Sequence, residues 1–545
     1  MLEAACNRRE FCRMAAAGMV WAAAWPTLPH PDGRDPASSH RFAARQVGDR
    51  WLLFTPQGQP FWMLGVFQVD LSSTRFDGDL SQRSLSLAKY GNEEVWAEQA
   101  VRRLRAWGFN CLAEYASEYA LPIPLYGRGG NQERMPFTAM IRPAAFSLTN
   151  RWSYASGPVK DIIAATDPRI YRGWRGSTTP DVFDPNFGAY AQREAAELAG
   201  RWSFSPWLVG VTCDDADDLY GFGPGPDPPV ARLHPHLGWL VLIANPEQSQ
   251  NRKLGVRYRD PRLHAKYALR ALLQRQYGTI GNLNAAWTAR YTSWDSDGGW
   301  PYGSGFLDES GRGAWLGSGD ALANAAGAVR ADLNVFLGRF AEQYFEAVAG
   351  AVRRHFPGYL VYGPATLNGW NGLTRAPILR AAGQALDVVQ ANASTDELLR
   401  RTAAATGNVP LVTWTGMVAN PDSALFEFPN AGAGALRFPT QAARGRAYAQ
   451  AILDEWEHTT AAGVHPVVGT KFWSFADSWT EKMNWGLVTP RDNAYDGREA
   501  VRAGGRDAWS FATGGEARDF GDSVTAIREV NTAVTTLLRR QGQPQ

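Results

Sequence analysis

Long apolar runs, net charge and cysteine are all scarce in this 545-residue sequence. The apolar stretch Met14 to Ala24 is too short to span a bilayer, so no membrane span is expected. Lys and Arg total 55 against 53 Asp and Glu, a formal charge of +2. That balance gives no reason to expect nucleic acid or an anionic membrane surface as partner. Of four cysteines, Cys6 and Cys12 lie near the N-terminus, leaving Cys111 and Cys213. There is no CxxC and no Cys/His spacing of a metal site. Two buried thiols are the default reading, with a disulfide between them as the alternative. No GxGxxG follows a strand, and Walker A, HExxH and GxSxG patterns are absent, so no cofactor or metal is expected. Aromatics are abundant: 22 Trp, 18 Tyr and 25 Phe. Some must form core, and a surplus on one face would suit stacking on sugar rings.

The first residues read as an address. Arg8-Arg9-Glu10-Phe11 precedes the short apolar run, and Ala22-Ala23-Ala24 offers an A-x-A cleavage site. This resembles a twin-arginine export signal over residues 1–24, with a periplasmic or secreted product. The alternative is an N-terminal helix with a chance Arg pair. A Pro-rich linker, 25–41, follows.

From residue 42 onward, short apolar runs alternate with helical spacing. The runs are FWMLGV, FNCLA, FTAMI, WLVGVTC, YLVY, LDVVQ, PLVTW and VVGTKFW. Helical spacing marks 93–107, 189–199, 331–355 and 440–462. Eight such strands interleaved with helices predict an α/β fold, a (β/α)8 TIM barrel over 42–545, with the active site at the strand C-terminal ends. A long Gly-, Pro- and Asp-rich insertion, 220–330, follows the fourth strand and carries a helix at 262–277. Its Asp295-Ser296-Asp297-Gly298-Gly299 resembles part of a calcium loop but lacks the closing Glu, and reads as a solvated turn. His465 reads as a structural histidine.

The fourth strand ends in Cys213-Asp214-Asp215-Ala216-Asp217-Asp218. Carboxylates this close repel, which raises pKa values and suits acid/base chemistry or a cation. The bland reading is a solvated polar loop. Other strand ends carry groups suited to hydroxyls and sugar faces: Gln68 and Asp70 after the first, Glu114 after the second, Asn368 and Trp370 after the fifth, Gln390 and Asn392 after the sixth, and Trp414 at the seventh. The eighth adds Trp473, Asp477, Trp479, Glu481, Asn484 and Trp485. For Trp414 and Trp473 the alternative is core packing, and for Glu481 a salt bridge with Lys482 or Arg491.

Several segments resemble retaining glycoside hydrolases of the (β/α)8 clan that includes family 42 β-galactosidases and agarases. GDRWLLFTPQGQPFWMLGV is similar to their lead-in and first barrel strand, and LRAWGFNCLAEY to the second. LQRQYGTIGNLNAAWTARYTSW resembles an insertion after the fourth strand, and MNWGLVTPRDNAYDGREAV the segment after the last. The resemblance implies a carbohydrate substrate, an Asn-Glu pair at the fourth strand with Glu as acid/base, and a nucleophilic Glu at the seventh. This sequence departs at both places. Asp214-Asp215 stands at the first, and no carboxylate follows the seventh strand until Asp422 and Glu427.

Glycoside hydrolysis generally needs two carboxyls, about 5–5.5 Å apart for retention or about 6.5–9.5 Å for inversion. Asp is one methylene shorter than Glu, which withdraws the acid by roughly 1.5 Å. The expected catalytic set is therefore Asp215 or Asp214 with Glu481 or Asp477. Glu114, Asn368, Trp370, Gln390, Trp414, Trp473, Trp479 and Asn484 are the expected substrate contacts. The reading is an exported glycoside hydrolase-like enzyme acting on a polysaccharide or oligosaccharide. A sugar-binding protein on a degenerate barrel, or a lyase or transglycosylase on the same scaffold, stands beside it.

Overall fold

The structure, a computed structural model, describes residues 41–72, 75–77, 80–123, 129–149, 157–166, 178–215, 219, 237–299, 303–309, 327–365, 376–391, 396–419, 436–478, 485–498 and 521–541. The leader call, the linker call up to residue 40, and Asp217, Asp218, Asn368, Trp370, Asn392, Asp422, Glu427, Trp479, Glu481 and Asn484, lie outside them.

Eight parallel strands close on themselves. They are β1 (Met63–Val66), β2 (Cys111–Leu112), β3 (Phe137–Ile141), β4 (Leu208–Cys213), β5 (Leu360–Gly363), β6 (Val388–Ala391), β7 (Leu411–Ala419) and β8 (Val467–Trp473). Each pairs with the next, and β8 pairs back onto β1, Thr470 opposite Leu64. Strand formation follows from short apolar runs buried on both faces, the condition of a barrel covered by helices. In β4 all of Leu208 to Cys213 is buried. Side chains alternate between two packing zones. Met63, Cys111, Val209, Leu360, Tyr362, Val388, Val412 and Val468 fill the barrel interior, while Leu64, Leu112, Val211, Val361, Val389 and Leu411 face the helices.

The helical layer includes α1 (Glu93–Ala106), α2 (Pro143–Leu148), α3 (Pro185–Trp202), α4 (Leu237–Ile243), α5 (His264–Tyr277), α6 (Ile280–Trp287), α7 (Gly327–His355), α8 (Ala376–Ala385), α9 (Asp396–Thr406), α10 (Gln441–Glu457) and α11 (Val524–Gln541). Helix starts are chemically marked. Asn92 caps α1 by accepting from Val95 N, and Asp184 caps α3, whose first residue is Pro185. The tenth helix stops at Glu457, short of the predicted 462, because Thr460 and Gly463 form a turn, Gly463 at φ 75°.

Upstream of β1, the hairpin Ala43–Val47/Arg50–Phe54 and the short strand Pro60–Phe61 form an antiparallel sheet. Its Leu53 and Phe61, with Phe42, join the interior cluster and close the end of the barrel opposite the strand C-termini. Between β4 and β5, α4, α5 and α6 are tied to the body by two buried polar nodes. Lys266 Nζ donates to Leu242 O at 2.6 Å, Ala244 O at 2.5 Å and Glu309 O at 3.0 Å. The Asp332 carboxylate on α7 accepts from Gln276, Tyr277 and Trp287 at 2.6–2.7 Å. In the Asp295 to Asp308 loop the carboxylates bind backbone amides. Asp308 Oδ2 accepts from Asp297 N at 2.8 Å, and Asp297 Oδ2 from Ser304 N at 2.7 Å. Among the described residues no helix is long and apolar enough to cross a membrane.

Candidate active site

At the C-terminal end the barrel filling changes from aliphatic to polar. Glu114, immediately beyond β2, is buried against Lys471 of β8, whose Nζ lies 2.6 and 2.9 Å from its two carboxylate oxygens. Lys471 Nζ also donates to Gln390 Oε1 of β6 at 2.7 Å. Gln390 Nε2 donates to Glu114 Oε1 at 3.2 Å and to Thr212 Oγ1 of β4 at 3.0 Å, and the Thr212 hydroxyl donates to Glu114. Burial alone would raise the Glu114 pKa. The Lys471 charge and the hydrogen bonds from Lys471 and Thr212 outweigh it and hold the carboxyl below its ordinary value. This four-strand network is the floor of the mouth. It includes the predicted contacts Glu114 and Gln390, and Lys471 and Thr212, which the sequence reading missed.

Above the floor sits an aromatic cluster. Trp414 shares the interior-facing register of Val412 and lies opposite Lys471 in the β7–β8 ladder. Trp473 ends β8 and is central. Its ring centroid is 5.9 Å from Trp414, 5.8 Å from Trp485 and 5.3 Å from Phe67, all edge-to-face. The Nε1 atoms of Trp414, Trp473 and Trp485 are buried and have no hydrogen-bond acceptor among the described residues.

The strand ends bend sharply here. Gln68, Tyr115 and Asp214, following β1, β2 and β4, take left-handed φ values of 53°, 66° and 57°. Non-glycine residues adopt this region rarely, and such strain clusters at functional sites. Backbone bonds fix the bends: Gln68 N donates to Glu114 O at 3.1 Å, and Asp214 N to Ile141 O at 2.8 Å.

The four candidate acids fall in different places. Asp214 is fully buried and turns toward the helical layer, where Oδ1 accepts from Ala144 N of α2 at 3.0 Å and Oδ2 from Tyr344 of α7 at 2.8 Å. Asp215 is only partly buried, and its Oδ2 accepts from the Tyr115 hydroxyl at 2.6 Å. Asp477 is buried beyond β8, with Oδ1 accepting from Gly486 N at 2.8 Å and Oδ2 from Tyr495 at 2.5 Å. Glu481 is outside the described residues. Another acid, Glu455 of α10, lies behind the barrel wall and accepts from Thr413 of β7 at 2.8 Å; burial raises it to about 8. Cys111 and Cys213 are both buried free thiols.

A cavity of about 280 Å³ lies outside the barrel wall between β3 and α3, lined by Phe137, Met140, Leu198 and Trp202. It touches the mouth through Glu114 and Tyr115. Its lining is mainly the outer wall.

A closed parallel barrel with a polar floor and an aromatic, acid-bearing C-terminal mouth defines a (β/α)8 barrel. The comparisons agree on the fold. A β-agarase A from Vibrio sp. (strain JT0107) is 26% identical over 319 residues, 57% of this chain and 25% of that protein. A solved exo-β-agarase superposes with TM-score 0.61 at 18% identity, over 92% of this chain and 66% of that one. The agarase AgWH50C superposes with TM-score 0.62 at 16% identity, over 93% and 66%. The chain thus spans about a quarter of the length of the curated relative it matches. No family model matches.

Proposed function

We propose that this chain is a glycoside hydrolase-like enzyme that binds a polysaccharide or oligosaccharide at the C-terminal mouth and cleaves a glycosidic bond, with Asp215 as the general acid. The observation that carries the reading is the aromatic cluster over the polar floor, with three buried indole N–H groups that have no acceptor among the described residues. Sugar rings supply both things the cluster lacks: flat C–H faces for the indoles and hydroxyl oxygens for their donors. Asp215 is favoured over Asp214 because both Asp214 oxygens are held by the helical layer. Glu481 is the proposed partner carboxyl. Asp477 is set aside because both its oxygens are taken up, by Gly486 and Tyr495. Asn368, Trp370, Trp479 and Asn484 complete the proposed contacts. Export through the Arg8-Arg9 signal belongs to the same reading; Arg8→Lys with Arg9→Lys is expected to stop it, measured by fractionation.

One observation favours a second reading, a sugar-binding barrel without hydrolysis. The resemblance implies a nucleophilic Glu at the end of the seventh strand, and β7, Leu411–Ala419, carries no carboxylate. The named relatives make agarose the first polymer to test. Reducing ends released from agarose and a polysaccharide panel are measured for the wild type, Asp215→Asn and Glu481→Gln. Asp215→Asn is expected to lose about 10²–10⁴-fold in rate while retaining binding. Binding without cleavage by the wild type selects the second reading. Neither binding nor cleavage removes both.

A further inference from the structure

We propose that Arg444 is a positioning residue for sugar binding at the mouth: with Asp477 it fixes the Trp485–Gly486 peptide plane, and that plane sets the Trp485 ring against Trp473. This role rests on the carbohydrate reading above and deepens it, because neither the sequence patterns nor the resemblance pointed to an arginine of α10.

The tenth helix begins at the C-terminal end of the barrel, and Arg444 lies one turn into it, buried. Its Nη2 donates to Trp485 O at 2.6 Å and to Gly486 O at 2.8 Å, and its Nη1 to Gln441 Oε1 at 3.0 Å. At the opposite edge of the Trp485–Gly486 peptide, Gly486 N donates to Asp477 Oδ1 at 2.8 Å. One planar unit is therefore gripped at its carbonyl oxygen by a cation and at its N–H by an anion. Both bonds are charge-assisted, and together they oppose rotation of a rigid plane. Asp477 also supplies the opposite charge that a buried guanidinium needs.

The surroundings hold the clamp in place. A Cβ on Gly486 would lie 2.1 Å from Asp477 N and 2.5 Å from Val488 O, so this close approach admits only glycine. Leu487 N and Val488 N both donate to Phe475 O, at 2.8 and 3.1 Å. The rings of Phe472 and Tyr495 lie 5.6 and 5.9 Å from the guanidinium carbon. The clamp acts on the mouth through Trp485. That ring is buried and meets the half-buried Trp473 edge-on at 5.8 Å and 83°. A braced ring is ready for a sugar face, whereas a loose one must lose entropy on binding.

The test uses the full chain and Arg444→Lys, which keeps the charge beside Asp477 but lacks the planar fork that reaches two carbonyls and Gln441 together. Kd is measured with agarohexaose, or with whichever polymer of the panel the wild type binds. Arg444→Lys is expected to raise Kd about ten-fold. In a Trp485→Ala background it is expected to add nothing, since its effect runs through that ring. Near-UV circular dichroism of the free protein should lose the same coupled-indole signal in Arg444→Lys as in Trp485→Ala, with the far-UV spectrum unchanged. A lower melting temperature with unchanged Kd is the result of a purely structural arginine and overturns the inference. So does an additive loss in the double variant, or an unchanged near-UV spectrum. In each of these cases the wild type still binds, and the carbohydrate reading stands without Arg444. If the wild type binds neither agarohexaose nor any polymer of the panel, both fall. Should Arg444→Lys fail to fold, Gln441→Met replaces it: it removes the partner of Nη1, leaves the buried charges in place, and is expected to shift Kd in the same direction.

Discussion

Glu114 and Lys471 are 357 positions apart and meet as a fully buried ion pair. A pair of this kind is expensive to break on one side, since the survivor is a buried, uncompensated charge. Glu114→Gln is therefore expected to destabilise the protein by about 3–5 kcal/mol, measured by urea unfolding. Glu114→Leu combined with Lys471→Met should recover much of that loss. Glu455 gives the opposite pH signature. Burial raises its folded pKa to about 8 from an ordinary 4.5. The folded state binds this proton more tightly than the unfolded state, so its stabilising contribution is complete below pH 4.5 and is lost as pH rises toward 8. Glu455→Gln should flatten the fall in stability across that window, read from melting temperature against pH. Glu114, held low by Lys471, acts the other way and loses its contribution as pH falls. Sequence reading found Glu114 and Gln390 because they sit at strand ends. It missed Lys471 and Thr212 because neither a mid-strand lysine nor a threonine carries a local mark of what it faces across a barrel.

The elements were far more legible than these pairings. Every barrel strand appeared as a short apolar run, and α1 and α3 as amphipathic segments whose starts the caps Asn92 and Asp184 later explained. What the runs do not encode is which neighbour lies close. Gly210 in β4 shows this: a Cβ there would lie 2.4 Å from the Tyr362 ring and 2.5 Å from Leu360 O of β5. Both contacts are under any tolerable separation, so Gly210→Ala must push β4 from β5 and is expected to cost about 1–3 kcal/mol by the same unfolding assay. The insertion offers a parallel case. Its composition predicted a long excursion and one helix, but not that Trp287, Tyr277 and Gln276 would converge on Asp332. Asp332→Ala leaves the Trp287 indole donor, the tyrosine hydroxyl and the glutamine amide without that acceptor. Faster hydrogen exchange confined to residues 264–287 is expected, with the barrel strands unaffected. Loss of protection throughout the chain would show that the node supports the whole fold instead.

For the whole molecule, the barrel is closed by the N-terminal hairpin at one end and opens at the other onto indole donors that have no acceptor among the described residues, which sets up a thermodynamic asymmetry. A ligand whose oxygens accept from Trp414, Trp473 and Trp485 stabilises the folded chain by RT ln(1 + [L]/Kd), about 2.7 kcal/mol at a hundred times Kd. For a domain of this size that is a rise in melting temperature of about 3 °C. Replacing one indole by phenylalanine acts on the two states with opposite signs. In the free protein it removes a buried donor that has no acceptor among the described residues, so Trp414→Phe, Trp473→Phe or Trp485→Phe should regain part of the cost of an unmet donor and offset the packing lost with the smaller ring. In the complex it removes a hydrogen bond of about 1 kcal/mol, so Kd for an agaro-oligosaccharide should rise about five-fold. The signature is a free-state melting temperature held or raised together with a smaller ligand-induced shift, read in one thermal series. Tryptophans acting only as core packing would instead lose stability in the free state and leave the ligand-induced shift untouched.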